Sequence, residues 1–370
     1  MNPSTHQPIN PSFQRDTSMK ADLHTHTTAS DGREKPERLV DLAVEKGLSM
    51  LAITDHDTLD GYRKAKSRAE ERGLELISGI ENTVLWRTKE VHLLAYFFDA
   101  DHPEVMQFVA RQKRARRLRM EKIVAKLRRQ GVDITMDEVL AEAYGGNVGR
   151  PHAAAVLIRK RVVGSVPEAF VRYLNEQMLQ IQTEYASIDE AIGVFHRAGG
   201  VLSLAHPGRM FKTAELLELL EHDMDAIELV HPSHPDPIQK RMKILASRFR
   251  KALSGGSDFH GFNEKGSHPF FGIATISADH VSNLREKSFE WRSRMADVRT
   301  VAEGAGDMAE GAGDMAEGAG DMAEGAGGER TAVVDSMPES STGASNTVDA
   351  TSAGYARMAP QPANVLASTR

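Results

Sequence analysis

Short apolar runs alternate with amphipathic stretches along the middle of the chain. Met50–Ile53, Leu74–Ile80, Val91–Phe98, Val201–Leu204, Ala226–Val230 and Ala252–Leu253 are β-rich, as strands of a buried sheet are. A further strand-like segment, Ala21-Asp22-Leu23, stands ahead of them. Between the strands the apolar positions recur at helical spacing. Pro36–Lys46 opens on a proline suited to a first helical turn and stops at Gly47; Leu59–Arg72 stops at Gly73. This alternation predicts a parallel sheet, open or closed into a barrel. The rhythm breaks between His102 and about Glu184, where Glu104–Arg129, Met136–Ala143, His152–Lys160 and Pro167–Tyr173 all read as helices. An inserted helical subdomain is expected there.

The two ends differ from this body. Residues 1–19 are polar, lack the basic-then-apolar order of a signal peptide and are expected to be a disordered extension. Near the other end the heptapeptide Ala-Glu-Gly-Ala-Gly-Asp-Met is complete at Ala302, Ala309 and Ala316. Two glycines and one sizeable apolar residue per repeat are poor material for a helix or a coiled-coil seam. With the Ser/Thr/Ala/Pro-rich stretch that follows, 293–370 is expected to be a disordered acidic tail. The barrel would then occupy 20–101 and 185–292, with the insertion at 102–184.

Composition sharpens the chemistry. The chain of 370 residues has no cysteine, so thiolate zinc sites, Fe–S clusters and a Cys nucleophile are excluded; a metal site would use its 15 histidines and its carboxylates. No run approaches the ~18 apolar residues of a membrane span, and a cytoplasmic protein with no stable protein partner is expected. The formal charge of −6 seems unfavourable for polyanions until it is divided. From Thr300 onward there are 11 acidic residues and 3 arginines, which leaves residues 1–299 at +2.

Histidines and acids gather where the strands end. His24 and His26, two apart on an extended segment, point to one side, and Asp31 follows. The second strand runs into Thr54-Asp55-His56-Asp57, the third into Ser78-Gly79-Ile80-Glu81, and His92 lies in the fourth. Later strands end in Ala205-His206-Pro207 and Gly256-Ser257-Asp258-Phe259-His260. A lone strand-end histidine is weak evidence. Strand–loop junctions of a parallel sheet converge on the face where sites are built, so the joint pattern points to a polynuclear metal site for Mn, Fe or Zn.

These segments, in this order between about Lys20 and Phe289, resemble the PHP (polymerase and histidinol phosphatase) family of metal-dependent phosphoesterases. The resemblance implies a distorted (β/α)7 barrel and three divalent metal ions, Mn2+ foremost, with Fe2+ or Zn2+ as alternatives. It also implies the ligand set His24, His26, Asp31, His56, Glu81, His92, His206, Asp258 and His260. Asp31, His56 and His206 are the expected catalytic residues, His206 with a role toward the leaving group. Arg111–Arg119 offers a basic run on the inserted helix, from which Lys113, Arg114 and Arg117 are expected to face a substrate phosphate. Arg150 in Gly149-Arg150-Pro151-His152 is a second anchor, and His234 in His231-Pro232-Ser233-His234-Pro235 a further contact. The Thr27–Gly32 loop, the basic insert and these two segments look closest to the branch acting on nucleoside 3′,5′-bisphosphates and short 5′-phosphorylated RNA. A general phosphomonoesterase such as histidinol phosphatase is the alternative within the class, and a non-catalytic metal-binding regulatory module the alternative outside it.

Overall fold

The computed structural model describes residues 19–208, 210–262 and 268–317, with side chains to residue 297. The strands are β1 (Lys20–Asp22), β2 (Met50–Ala52), β3 (Glu75–Ile77), β4 (Gly79–Trp86), β5 (Lys89–Tyr96), β6 (Val201–Leu204), β7 (Ala226–Val230), β8 (Ala252–Gly255) and β9 (Ile276–Ser277). They form two sheets, in the orders β3-β2-β1-β9 and β4-β5-β6-β7-β8. Past the strand ends, backbone hydrogen bonds join the two. Leu23 N donates to Gly255 O at 3.1 Å, His26 N to Phe259 O at 2.8 Å, and Glu81 N to Thr54 O at 3.2 Å. β1 thus meets β8 and β2 meets β4, closing β1, β2, β4, β5, β6, β7 and β8 into the distorted seven-stranded barrel that the resemblance implies.

The sheet is less parallel than the alternation predicts. Strands are parallel in β1–β2–β3 and β6–β7–β8, whereas β4–β5 and β5–β6 are antiparallel. The expected strand Leu74–Ile80 is two strands parted at Ser78, and the second continues to Trp86 before turning back as β5. Its continuation escapes the apolar pattern because Glu81, Asn82 and Thr83 are polar residues that are nonetheless buried.

Around the barrel run α1 (Pro36–Glu45) and α2 (Asp60–Arg72), then the insertion: α3 (Pro103–Arg129), α4 (Met136–Glu142), α5 (Arg150–Arg159), α6 (Val166–Ala169), a π-helical turn (Phe170–Leu174) and α7 (Glu176–Leu179). α8 (Ile188–Arg197), α9 (Thr213–Leu219), α10 (Asp236–Phe249) and α11 (Ala278–Glu317) complete the ring. Local signals set the boundaries. Gly73 ends α2 in the left-handed region at φ 65°, and Thr135 and Glu138 form a reciprocal capping box on α4. The insertion has its own apolar core of Met120, Ile123, Leu127, Val139, Leu157 and Leu174, while the first turns of α3 pack Val105 and Phe108 against the barrel.

The described backbone of α11 enters the first heptapeptides and runs to Glu317. Glycines disfavour a helix by about 1 kcal/mol each, but extending an established helix needs no new nucleus, and Ala, Glu and Met favour it. The chain divides into the units Met1–Glu310 and Gly311–Arg370. The expected disorder of 1–18 and 318–370 concerns positions outside the described residues. Among those described, no helix is long and apolar enough to cross a membrane.

Candidate metal centre

Every expected ligand reaches one rim of the barrel. Glu81 lies at its centre: Oε2 is 3.3 Å from His24 Nε2, 3.3 Å from His26 Nε2 and 3.2 Å from His56 Nδ1, while Oε1 is 2.8 Å from His92 Nδ1 and 3.0 Å from His206 Nε2. Asp258 Oδ1 lies 3.3 Å from His24 Nε2 and 3.2 Å from His26 Nε2. Asp31 is 3.4 Å from His260 Nε2 and 3.8 Å from His56 Nε2. Two donor atoms bound to one cation at about 2.0–2.3 Å stand roughly 3.0–3.5 Å apart, so the spacing suits shared ions.

A second test is satisfaction. Both ring nitrogens of His26, Nδ1 of His56, Nδ1 of His92 and Oδ1 of Asp31 are buried without a hydrogen bond. Buried polar atoms are normally paired, so five orphans in one cluster fit a site built for cations. The donor set of imidazole and carboxylate suits Mn, Fe or Zn.

Around the ligands a second layer fixes their orientation. His24 Nδ1 contacts Glu228 Oε1 at 2.9 Å, which leaves Nε2 for the cluster, and His260 Nδ1 contacts the Asp258 carbonyl at 2.9 Å. Glu228 also accepts from His206 N, and Asp55 accepts from Thr27 N, Thr27 Oγ1 and Ser30 Oγ, shaping the loop that carries Asp31. Asp57, His206 and Asp258 adopt left-handed backbone at φ 51°, 32° and 49°. Such strain gathers at sites whose surroundings over-determine it.

The electrostatics is that of a cluster requiring positive charge. Burial works to raise the carboxyls of Asp31, Glu81 and Asp258, yet the imidazoles around them hold all three well below the usual carboxylate range. Burial likewise works to lower His260, but Asp31 and Asp258 push it up to about 10. Asp22, beneath the cluster, is pushed up to about 7 by burial despite hydrogen bonds from Ser257 and the His24 amide.

Two residues that sequence reasoning did not rank as ligands join the cluster. His231 Nε2 is 3.2 Å from Asp258 Oδ2, and Glu228 and His231 group with His24. Both belong to the segment Glu228-Leu229-Val230-His231, Glu228 inside β7 and His231 just past its end, and that position was their available signal. His234, expected to touch substrate, is buried; its Nδ1 faces the Leu229 carbonyl and its Nε2 accepts from Gly208 N. It braces its own loop.

Lys113, Arg114 and Arg117 do not line the cavity at the cluster. Lys113 pairs with Asp60, Arg114 is exposed in a groove between α3 and α8, and Arg117 pairs with Glu121 at the surface. The buried stripe of α3 runs through Val105, Phe108, Gln112, Ala115, Met120 and Ile123, and Arg116 and Arg119 lie in register with it. These are the arginines turned toward the site. With Arg150, Glu90, Thr83 and Phe170 they line a cavity of about 220 Å³ whose other wall is Asp31, His56, His92 and His260. Arg116 donates to Asp57 Oδ2 at 2.9 Å and Thr83 Oγ1 at 2.7 Å; Arg119 pairs with Glu90 at 2.6 Å, and Arg150 lies 3.7 Å from Glu90.

A barrel whose strand ends converge on imidazoles and a shared carboxylate, beside buried arginines, has the architecture of a metal-dependent phosphoesterase. The chain belongs to the PHP family, its residues 22–230 matching the PHP domain. It is 35% identical over 247 residues to the 5′-3′ exoribonuclease Rnm of Escherichia coli (strain K12), covering 65% of this chain and 84% of that one. With the 3′,5′-nucleoside bisphosphate phosphatase of Chromobacterium violaceum it shares 29% identity over 252 residues, 66% of this chain and 88% of the other. A crystal structure of a putative metal-dependent phosphoesterase from Bifidobacterium adolescentis superposes with a TM-score of 0.65 at 32% identity, covering 73% of this chain and 96% of that one. The protein is a hydrolase of phosphoester bonds that works with divalent metal ions.

Proposed function

We propose that the protein removes the 3′-phosphate of nucleoside 3′,5′-bisphosphates and cleaves the equivalent diester at the 5′ end of short 5′-phosphorylated oligoribonucleotides. The observation that carries this reading is the cavity itself, with ligands on one wall and Arg116, Arg119 and Arg150 on the other. A bisphosphate has one phosphate for each wall, and a simple monoester gives the arginines nothing to hold. The names of the two curated relatives support the same substrate class.

Three divalent cations, Mn2+ first and Fe2+ or Zn2+ as alternatives, would be held by overlapping groups. His24, His26 and Asp258 make one and Asp31 with His26, His56 and His260 another, while Glu81 groups both with His24 and His206 and with His56 and His92. Glu81, with Oε2 toward His24, His26 and His56 and Oε1 toward His92 and His206, would serve more than one cation. When bound, such ions supply Lewis-acid neutralisation of phosphoryl charge and acidify water. Asp31, His56 and His206 contribute through this ligation. Glu228 keeps His24 in one tautomer, and Arg150 and Arg119 hold the distal phosphate so that the reacting one is presented in a single orientation.

A substrate panel in Mn2+ tests the reading: adenosine 3′,5′-bisphosphate, 5′-phosphorylated and 5′-hydroxyl RNA oligomers, histidinol phosphate and an arylphosphate. The bisphosphate and the 5′-phosphorylated RNA are expected to lead in kcat/KM. Histidinol phosphate exceeding the bisphosphate would overturn it.

A further inference from the structure

Glu90 is out of place in an anion pocket. It sits on β5 two residues before His92, so both side chains leave the strand on the same side, and it lines the cavity beside the arginines. Its side chain is 9% exposed. One oxygen pairs with Arg119 at 2.6 Å; the other is 3.7 Å from Arg150, beyond hydrogen-bond range. The same Glu90–Arg119 pair borders a second, adjoining cavity of about 150 Å³. A carboxylate only accepts hydrogen bonds, and phosphate oxygens near neutral pH have almost no proton to give. Toward the phosphates alone Glu90 is repulsive. It becomes favourable if the substrate brings a neutral donor to the same wall.

The order of groups says which donor. From the ligand wall to the arginine wall come His92, a proposed metal ligand, then Glu90 two residues away on β5, then Arg119, paired with Glu90, and Arg150. Along a nucleoside 3′,5′-bisphosphate come the reacting phosphate, the ribose, then the 5′-phosphate. Glu90 stands where the sugar stands. We infer that Glu90 accepts a hydrogen bond from the ribose 2′-hydroxyl and so selects ribonucleotides over deoxyribonucleotides. This rests on the bisphosphate reading above and adds the sugar to it. An acidic side chain on a ribose hydroxyl is established chemistry in nucleotide sites, and a site that leaves such an acceptor unpaired rejects the analogue lacking the hydroxyl.

The test uses the full chain in Mn2+ with adenosine 3′,5′-bisphosphate and its 2′-deoxy and 2′-fluoro analogues; fluorine keeps a ribose-like pucker but cannot donate. For the unaltered protein kcat/KM is expected to fall at least about tenfold for both analogues. In Glu90→Leu the three values should converge to within about threefold. Glu90→Gln, which keeps a carbonyl acceptor, should retain part of the preference. Calorimetric Kd values for AMP and dAMP should show the same loss of discrimination without turnover. Equal use of the 2′-hydroxyl and 2′-fluoro substrates by the unaltered protein would overturn the role of Glu90 alone, with no dependence on how any variant folds. An undiminished ribose preference in Glu90→Leu would do the same. Failure to turn over any bisphosphate, beside ready hydrolysis of an arylphosphate, would overturn the substrate reading and this inference with it.

Discussion

Replacing Arg116 by methionine should cost the fold about 3 kcal/mol. Arg116 is 9% exposed and Asp57 is fully buried; their ion pair at 2.8 Å is reinforced by the bond from Arg116 to Thr83 Oγ1. Breaking a buried pair by removing one partner typically costs about 3–5 kcal/mol, because a charge is left without compensation. Two features place this case at the low end. Asp57 keeps the hydrogen bond from Thr83 N at 2.7 Å, and methionine is close to arginine in volume, so little cavity remains. For a folded body of this size 1 kcal/mol shifts the melting temperature by roughly 2 °C, so a drop of about 6 °C is expected. The melts should be run with excess chelator, since metal binding to the native state would add its own shift. The partner change is diagnostic: Arg116→Met with Asp57→Asn removes both charges, and asparagine tolerates the left-handed backbone at position 57 (φ 51°). The double variant should recover at least half of the loss. A single variant melting within about 1 °C of the unaltered protein, or a double variant melting no higher than the single, would refute the buried-pair argument.

Other consequences concern the site. Glu228→Gln should weaken metal binding about 10–100-fold in a chelator competition, because His24 loses a charged partner at 2.9 Å; unchanged affinity would remove Glu228 from the support of the cluster. Arg150→Ala should raise KM for a bisphosphate about tenfold with a smaller effect on an arylphosphate, while Arg114→Ala and Arg117→Ala should leave both within about twofold. Equal effects across the three would mean that the helix phase has been misassigned. Gly61→Ala would put a methyl 1.9 Å from Asp55 Oδ2 and 2.7 Å from Thr27 Oγ1, so a loss of at least about 2 kcal/mol and of metal affinity is expected. Asn147→Ala deletes the bond from Nδ2 to His56 O at 2.8 Å; bisphosphate turnover should fall severalfold more than arylphosphate turnover, and a uniform fall would argue against it.

The candidate ligands were legible as a cluster because most of them lie in short motifs at strand ends, where type and place together are informative; His92, inside β5, is the exception. Glu81 shows the limit of that signal. Its strand could be traced only to Ile80, since Glu81, Asn82 and Thr83 are polar yet buried, and polarity along the chain ordinarily marks a surface. The barrel's antiparallel hairpin was hidden for the same reason. The arginines failed differently. Charge density marks the helix, but the spacing of Lys113, Arg114 and Arg117 does not say which face is buried. Val105, Phe108, Ala115, Met120 and Ile123 answer that from sequence alone, and they select Arg116 and Arg119. Glu90 carried no such mark, because a glutamate near the end of a hairpin reads as solvated until its neighbours are known.

Chemistry and selectivity come from different parts of this chain, and hydrogen bonds keep them in register. The barrel supplies the ligands; α3 and α5 supply the arginines. Arg116 bonds Asp57, next to the ligand His56. Gln112 Nε2 donates to the carbonyl of Thr83, two residues beyond Glu81, and its Oε1 accepts from Ala186 N. Asn147 donates through Nδ2 to the His56 carbonyl and through its backbone to Ala29 O, two residues before Asp31. Each tie ends within two residues of a ligand or on the segment that re-enters the barrel. Binding energy gained far from the reacting atoms lowers the barrier only if it is converted into position, and an error of about 1 Å can forfeit much of it. On the proposed bisphosphate reading, the arginines are tied to the loops that carry the candidate ligands, and the two phosphate positions would be fixed relative to each other before substrate arrives. The spacing between them is then a property of the fold, and a substrate is measured against it.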